Sequence, residues 1–101
     1  MLKLCLTEEA QTDLRYIRAF TKQQWGDVQS VRYIKEIREK FKLLAQNPCL
    51  GVDRSADLEE GTRSILVGSH AIYYEFNATA LTVRAILHQA MAPDKHLQRY
   101  L

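Results

Sequence analysis

The fold of this chain is decided by two stretches, RSILVGSHAIYYEF at residues 63–76 and LTVRAILH at residues 81–88. Gly68-Ser69 divides the first stretch into two runs rich in β-branched and aromatic residues. A glycine there is suited to the positive φ of a two-residue hairpin turn. The last run follows Asn77-Ala78-Thr79. The pattern therefore predicts three consecutive antiparallel strands, a β-meander.

The turns also predict which residues face each other across the meander. A turn centred on Ala78-Thr79 places Tyr74 opposite Val83 and Ile72 opposite Ala85. Because side chains alternate between the two faces of a strand, one face is expected to form the core, with Ile65, Val67, Ile72, Tyr74, Phe76, Leu81, Val83 and Leu87. The opposite face is expected to be open to water or to a partner, with Ser64, Leu66, Tyr73, Glu75, Thr82, Arg84, Ile86 and His88.

The first half of the chain predicts one strand and two helices. A strand is expected over Leu2–Leu6. Thr7 is a suitable N-cap for a helix over residues 8–24, and Asp27 caps a second helix that runs to about Gln46. The apolar stripe expected to face the sheet is Ala10, Leu14, Ile17 and Phe20 or Thr21 in the first helix, and Val31, Ile34, Ile37, Phe41 and Leu44 in the second.

The order of these elements predicts an α+β fold, β-α-α-β-β-β, with the helical hairpin packed on one face of a mainly antiparallel sheet. Residues 48–62 are expected to form an acidic loop, and residues 89–101 a short helix or tail. Which meander strand the first strand joins is left open. With 101 residues, one domain spanning residues 1–101 is expected.

Charge and composition restrict the function. Fourteen basic and twelve acidic residues leave a net charge of +2, which argues against specific binding of nucleic acid, where phosphate neutralisation dominates affinity. Cys5 and Cys49 have no metal-ligand spacing and are expected to be buried, reduced thiols of a cytoplasmic protein. The sequence predicts no membrane span, no bound metal and no cofactor.

One hypothesis of enzymatic activity, RNA cleavage, rests on the face of the meander that is expected to be open. Metal-free RNA cleavage needs a base, an acid and cations around the phosphate, and that face offers Tyr73, Glu75, Arg84 and His88, with Arg63 at the edge. A cross-strand contact between Tyr73 and Arg84 is the simpler interpretation, because only one cation lies on the face itself. Outside the meander, Trp25 is expected to be a packing wedge between the helices, and Arg99-Tyr100-Leu101 could instead be an exposed binding segment, because Arg and aromatic residues are enriched at interface hot spots.

A series of residues along nearly the whole chain resembles the ParE toxins of the RelE/ParE superfamily. The series is Asp13-Leu14, Ile17, Trp25-Gly26, Tyr33, Leu44-Ala45, Asn47-Pro48, Gly51, Gly61, Arg63, Gly68-Ser69-His70, Tyr74, Ile86-Leu87-His88, Met91 and His96-Leu97. The resemblance implies a non-catalytic toxin of a type II toxin–antitoxin system that inhibits DNA gyrase and is neutralised by a ParD-like antitoxin.

Site residues follow from the resemblance and the predicted faces together. The residues expected to bind the antitoxin are Leu66, Tyr73, Arg84 and Ile86, although the apolar members of this set could also lie under the C-terminal segment. The residues expected to bind gyrase are Arg63, His88, Arg99 and Tyr100. Two alternatives stay open, namely a ribosome-dependent mRNA endonuclease of the RelE type that uses Arg63, Arg84 and His88, and an inactive relative that binds only its antitoxin.

Overall fold

The structure, a computed structural model, describes residues 1–91 and residue 93, and it has the predicted order of elements. These elements are β1 (Lys3–Leu6), α1 (Glu8–Trp25), α2 (Asp27–Gln46), a 3-10 turn (Pro48–Leu50), β2 (Val52–Asp53), β3 (Arg63–Val67), β4 (His70–Phe76) and β5 (Ala80–His88). The predicted α+β fold is confirmed. The two-residue β2 lies where the sequence predicts only a loop, and the predicted C-terminal helix or tail falls largely outside the described residues.

The two helices form the predicted hairpin. The Thr7 hydroxyl caps α1 by accepting a hydrogen bond from the Ala10 amide at 3.1 Å. Gly26, at φ +90°, ends α1 and lets α2 begin at the next residue. Small hydroxyl residues face each other near this turn, since the hydroxyl oxygens of Thr21 and Ser30 lie 2.8 Å apart. Phe20 and Val31, which were expected in the apolar stripes, are exposed instead.

A mixed sheet joins the predicted meander to β1. The strand order is β1-β5-β4-β3-β2. β1 runs parallel to β5, from the pair Lys3 and Ala80 to the pair Leu6 and Val83, so β1 joins the last meander strand. The helical hairpin follows β1 in the chain and packs on one face of the sheet, where its buried residues share a core with β3, β4 and β5.

A β-bulge at Arg84 changes the predicted faces of β5. Tyr74 pairs with Val83 as predicted, but Tyr73 pairs with Ala85, so Arg84 has no partner on β4. The extra residue reverses the alternation that follows, and the predicted pair of Ile72 and Ala85 is wrong. After the bulge, Ile72 pairs with Ile86 and His70 pairs with His88. Ile86 consequently enters the core under the helices, and Leu87 turns to the opposite face.

The start of α1 holds this bulge in place. The Thr7 hydroxyl donates to the Arg84 carbonyl at 3.1 Å, and the Asp13 carboxylate accepts from the Ile86 amide at 3.1 Å. The pairing of β1 with β5 stops at Leu6 and Val83, so the backbone of β5 beyond that point needs other partners on this side. Thr7 and Asp13 supply these partners. This contact gives a structural reason for the presence of Asp13 in the ParE-like residue series.

The face expected to be open is covered by the segment between β2 and β3. Leu58 from this segment packs against a second cluster of buried residues, which is Ala71, Tyr73, Ala85 and Leu87. Glu59 forms an ion pair with Arg84 at 3.2 Å, and the guanidinium of Arg54 lies 5.8 Å from the centre of the Tyr73 ring. The prediction of an open face is therefore wrong for Ser64, Tyr73 and Arg84, which are buried, whereas Leu66, Glu75 and His88 are exposed as expected.

Both cysteines are free thiols, Cys5 half-buried and Cys49 exposed in the 3-10 turn. The expectation that both are buried is wrong for Cys49.

Candidate functional site

A groove of about 690 Å³ lies between the helical hairpin and the adjoining ends of β4 and β5. Helix α1 contributes Tyr16, Phe20 and Trp25 to its lining, and α2 contributes Arg32, Tyr33 and Glu36. The sheet contributes Ser69, His70, Ile86 and His88. We refer to this surface as the aromatic groove. Most of its wall is apolar, which is typical of sites that bind a ligand or a partner chain.

Three aromatic side chains of α1 that line the groove are left largely in solvent. Tyr16 is 66% exposed, Phe20 47% and Trp25 68%. Tyr16 and Phe20 are one helical turn apart and stack with 6.4 Å between ring centroids. The expectation that Trp25 is a packing wedge is wrong, because Thr21 and Ser30 occupy the space between the helices near the turn. Clustered exposed aromatics indicate a surface that another molecule covers.

The inner end of the groove is a hydrogen-bonded cluster around Tyr33. Its hydroxyl donates to the Val67 carbonyl at 3.1 Å and accepts from the Ser69 amide at 3.2 Å. The same oxygen lies 2.7 Å from Nδ1 of His70. The Tyr33 hydroxyl and Nδ1 of His70 therefore form a hydrogen bond whose direction follows the tautomer of the imidazole. The His88 ring meets His70 edge-on, with 5.5 Å between centroids.

Gly68 is required at the turn beside this cluster. Its φ is +56°, and a Cβ atom there would lie 2.5 Å from Cε1 of Tyr33. Both the left-handed backbone and the close ring therefore demand glycine. Tyr33, Gly68-Ser69-His70 and His88, which are separate parts of the ParE-like series, meet at this one place.

The electrostatics of the cluster favour a neutral His70. Burial lowers the pKa of His70 below its usual value, and the neighbouring His88 lowers it further. The charged side chains that line the same groove are Asp13, Arg32 and Glu36. In a neutral His70 whose Nδ1 bonds to Tyr33, Nε2 either donates or accepts a hydrogen bond, according to the tautomer.

The four residues predicted to bind the antitoxin do not share one surface. Leu66 is 61% exposed at the end of β3, but the other three are at least 94% buried, since Tyr73 is 5%, Arg84 6% and Ile86 3% exposed. Tyr73 and Arg84 lie under the segment that covers the sheet, whereas Ile86 lies under the helices. The placement of Ile86 on the same face as the others is wrong, because the bulge at Arg84 reverses it.

The residues predicted to bind gyrase are also separated. Arg63 donates to the Gly51 carbonyl at 2.8 Å, at one end of the sheet. His88 pairs with His70 at the other end of β4, four residues from the partner of Arg63. At about 3.3 Å per residue, this is roughly 13 Å along the strands. Arg99 and Tyr100 lie outside the described residues.

The constellation considered for RNA cleavage is likewise not assembled. Arg84 is buried and paired with Glu59, and Arg63 is bonded to backbone carbonyls. His88 lies in the aromatic groove, away from both. The cation found over the Tyr73 ring is Arg54, and the predicted contact between Tyr73 and Arg84 stays a prediction.

The main feature that sequence reasoning missed is the exposure of the aromatic side chains that line the groove. Phe20 was assigned to the core because it falls near the apolar stripe of α1, and Tyr16 was not singled out. The available signal was the spacing of these two aromatics by four residues on a flank that Ala10 and Leu14 do not share. In the described part of the chain, no His, Cys, Asp and Glu side chains gather in threes to suit a metal, and no helix is long and apolar enough to span a membrane.

The helical hairpin on one face of a five-stranded mixed sheet is the architecture that the RelE/ParE resemblance implies. The family model described as "ParE toxin of type II toxin-antitoxin system, parDE" matches residues 4–93. The chain therefore belongs to the ParE toxin family, as a toxin of a ParDE type II toxin–antitoxin system.

Structural comparison agrees with this fold. A chain of the solved structure titled "Chromosomal ParDE TA system from P. aeruginosa" superposes with a TM-score of 0.75 at 20% sequence identity. The match covers 87% of this chain and 96% of that chain. No significant match was found among curated protein sequences.

Proposed function

We propose that this protein inhibits DNA gyrase in the cytoplasm without catalysis of its own, and that a ParD-like antitoxin neutralises it by occupying the aromatic groove. The observation that carries the antitoxin part is the exposure of three aromatic side chains, Tyr16, Phe20 and Trp25, that line a groove of about 690 Å³. The gyrase part rests on membership of the ParE family.

The groove suits an amphipathic helix or an extended segment of the antitoxin. Its wall offers aromatic rings from α1 and a hydrogen-bonding rim from Ser69 and His70. Apolar anchors that enter such a groove supply most of the affinity, while the polar rim fixes their register. Of the residues that sequence reasoning assigned to the antitoxin, we retain Leu66, because it alone among the four is exposed. Contact with Tyr73 or Arg84 would first require displacement of Leu58 and Glu59.

A non-catalytic mechanism is supported by the positions of the cations. Cleavage of RNA needs cations that converge on the scissile phosphate together with an acid and a base. Arg63 and Arg84 are each held by other groups, and His88 is about 13 Å along the strands from Arg63. Arg63 and His88 remain proposed gyrase contacts, through two separate patches of the surface.

Two parallel assays test the proposal. Purified toxin is added to gyrase with supercoiled plasmid and, separately, to translating ribosomes with labelled mRNA, each with and without a stoichiometric ParD-like antitoxin. We expect linear DNA linked to gyrase in the first assay, intact mRNA in the second, and suppression of the effect by the antitoxin. Cleaved mRNA with unaffected gyrase would replace this proposal with the endonuclease alternative, and no effect in either assay, with antitoxin binding retained, would leave an inactive relative.

A further inference from the structure

A second concave surface lies on the other flank of α1. It encloses about 370 Å³ between β1 and the two helices. Its rim carries the exposed side chains of Arg15, Arg18 and Arg38, and its floor is formed by Leu6, Leu14 and Ile34. We refer to this surface as the arginine pocket. The groove uses α1 residues such as Tyr16 and Phe20, and the pocket uses Arg15 and Arg18, so the two surfaces border opposite sides of the same buried stripe.

The charges of the arginine pocket are not neutralised within the described chain. None of its lining residues carries a carboxylate, and none of its three arginines forms an ion pair with any residue among 1–91 and 93. Arg15 donates a hydrogen bond to the Thr12 hydroxyl at 3.1 Å. By contrast, Arg54 and Arg84 are both paired with acidic residues. Three guanidinium groups around one concavity therefore remain available to an anionic partner.

The lining favours carboxylates of a protein over phosphates of a nucleic acid. Proteins that hold single strands stack bases on aromatic side chains, and the described residues that line the pocket include no aromatic one. Duplex binders spread cations along a face to follow the phosphate backbone, whereas these three converge on an apolar floor. Guanidinium groups bind carboxylates through paired hydrogen bonds, and the floor of Leu14 and Ile34 suits an aliphatic side chain next to them.

We propose that the arginine pocket binds an acidic segment of a partner protein, with carboxylates on the three arginines and one aliphatic side chain on the floor. The site is separate from the aromatic groove. It would bind its partner mainly through charge, whereas the groove would bind mainly through burial of apolar surface. The proposal does not depend on gyrase, so it can hold or fail whatever the outcome of the gyrase assay.

The test measures binding of a defined probe to the full chain. The probe is a short fluorescein-labelled peptide of Glu-Asp-Leu repeats, titrated by fluorescence anisotropy at low salt. Gln-Asn-Leu repeats of the same length serve as the uncharged control, and labelled oligothymidylate tests nucleic acid. The pocket variant combines Arg15→Gln, Arg18→Gln and Arg38→Gln. The matched variant combines Lys22→Gln, Lys35→Gln and Lys42→Gln, which removes the same charge from exposed helix positions outside the pocket.

We expect saturable binding of the acidic peptide and none of the uncharged one. The pocket variant should lose about tenfold or more in affinity, because paired guanidinium contacts are lost, whereas the lysine variant should lose less than about twofold. All six positions are exposed, and thermal melting confirms that both variants are folded. Equal losses in the two variants, absence of binding by the acidic peptide, or tighter pocket-dependent binding of oligothymidylate would each overturn the proposal.

Discussion

The aromatic groove and the arginine pocket flank one helix, yet they differ in nearly every property that decides recognition. The groove exposes Tyr16, Phe20 and Trp25 and carries charges of both signs, whereas every charged side chain that lines the pocket is a cation. Burial of aromatic surface is insensitive to salt, and attraction between exposed charges is screened by it. A helix whose buried stripe is narrow can thus present two unrelated surfaces, each suited to a different chemistry of partner.

The largest effect should come from truncation of an aromatic residue in the groove. Phe20→Ala is expected to weaken antitoxin binding by about 2–3 kcal/mol, because central aromatic anchors dominate such interfaces. Isothermal titration with a ParD-like antitoxin measures the loss. Val28→Ala is the matched control, since Val28 is 74% exposed on α2 and does not line the groove. Similar losses in both variants would contradict a docking role for the groove.

The salt dependence of the same titration sharpens the comparison. Antitoxin affinity should change little with salt if the aromatic groove dominates the complex. A steep fall in affinity with salt, which disappears in the variant that lacks Arg15, Arg18 and Arg38, would instead show that the antitoxin also occupies the arginine pocket.

The next effect is on stability and concerns the hydrogen bond between Asp13 and the backbone of β5 at the edge of the groove. Asp13→Ala removes the acceptor of the Ile86 amide and is expected to lower the free energy of unfolding by about 1–3 kcal/mol, because a part-buried donor loses a charged partner. Asp13→Asn keeps an acceptor oxygen and should lose less. Urea denaturation measures both variants. Equal stability of Asp13→Ala and the unaltered protein would show that the bulge does not need this bond.

How far the sequence predicts this structure depends on the range of the interactions involved. The helices and the turn at Gly68 are specified by neighbours in the chain, such as Thr7 for α1, so they were predicted nearly to the residue. The bulge at Arg84 depends on Thr7 and Asp13, which are 77 residues from Arg84 and 73 residues from Ile86. Strand alternation alone cannot show such a partner, and the error propagated to Ile86 and Leu87.

The same reasoning explains the errors in the candidate site. The aromatic groove is assembled from both helices and the ends of two strands, and the arginine pocket joins Arg15 and Arg18 to Arg38 across the hairpin. Neither surface appears as a motif in the sequence. The resemblance to ParE toxins identified the family correctly because it rests on positions such as Tyr33 and Gly68, whose contacts are structural.

A further effect, confined to the groove side, is a dependence of stability on pH. The pKa of His70 is lowered in the folded protein relative to its usual 6.5, by burial first and by His88 second. The unfolded chain therefore takes up a proton at a higher pH than the folded one, and stability should fall as the pH drops from 6.5 to the folded pKa. Above 6.5 both forms are neutral, so the stabilising contribution is fully present there.

His70→Asn isolates this contribution, because an amide can replace Nδ1 as a hydrogen-bonding group near Tyr33 but does not titrate. Urea denaturation across this pH range should show a weaker acid dependence in the variant. The other titratable or charged residues of the groove, namely Asp13, Arg32, Glu36 and His88, are retained in both proteins. An unchanged acid dependence in His70→Asn would show that His70 is not its source.

The smallest effect should be found at the arginine pocket. Arg38→Gln is expected to leave the free energy of unfolding unchanged or to raise it by at most about 0.5 kcal/mol, because exposed substitutions have small effects and removal of one of three clustered like charges relieves repulsion. Lys42→Gln, on the same helix but outside the pocket, is the control. A residue that contributes to binding and not to folding should lose peptide affinity when it is substituted and retain its free energy of unfolding. A loss of more than about 1 kcal/mol in Arg38→Gln would mark it as structural, and the pocket would then be a consequence of packing.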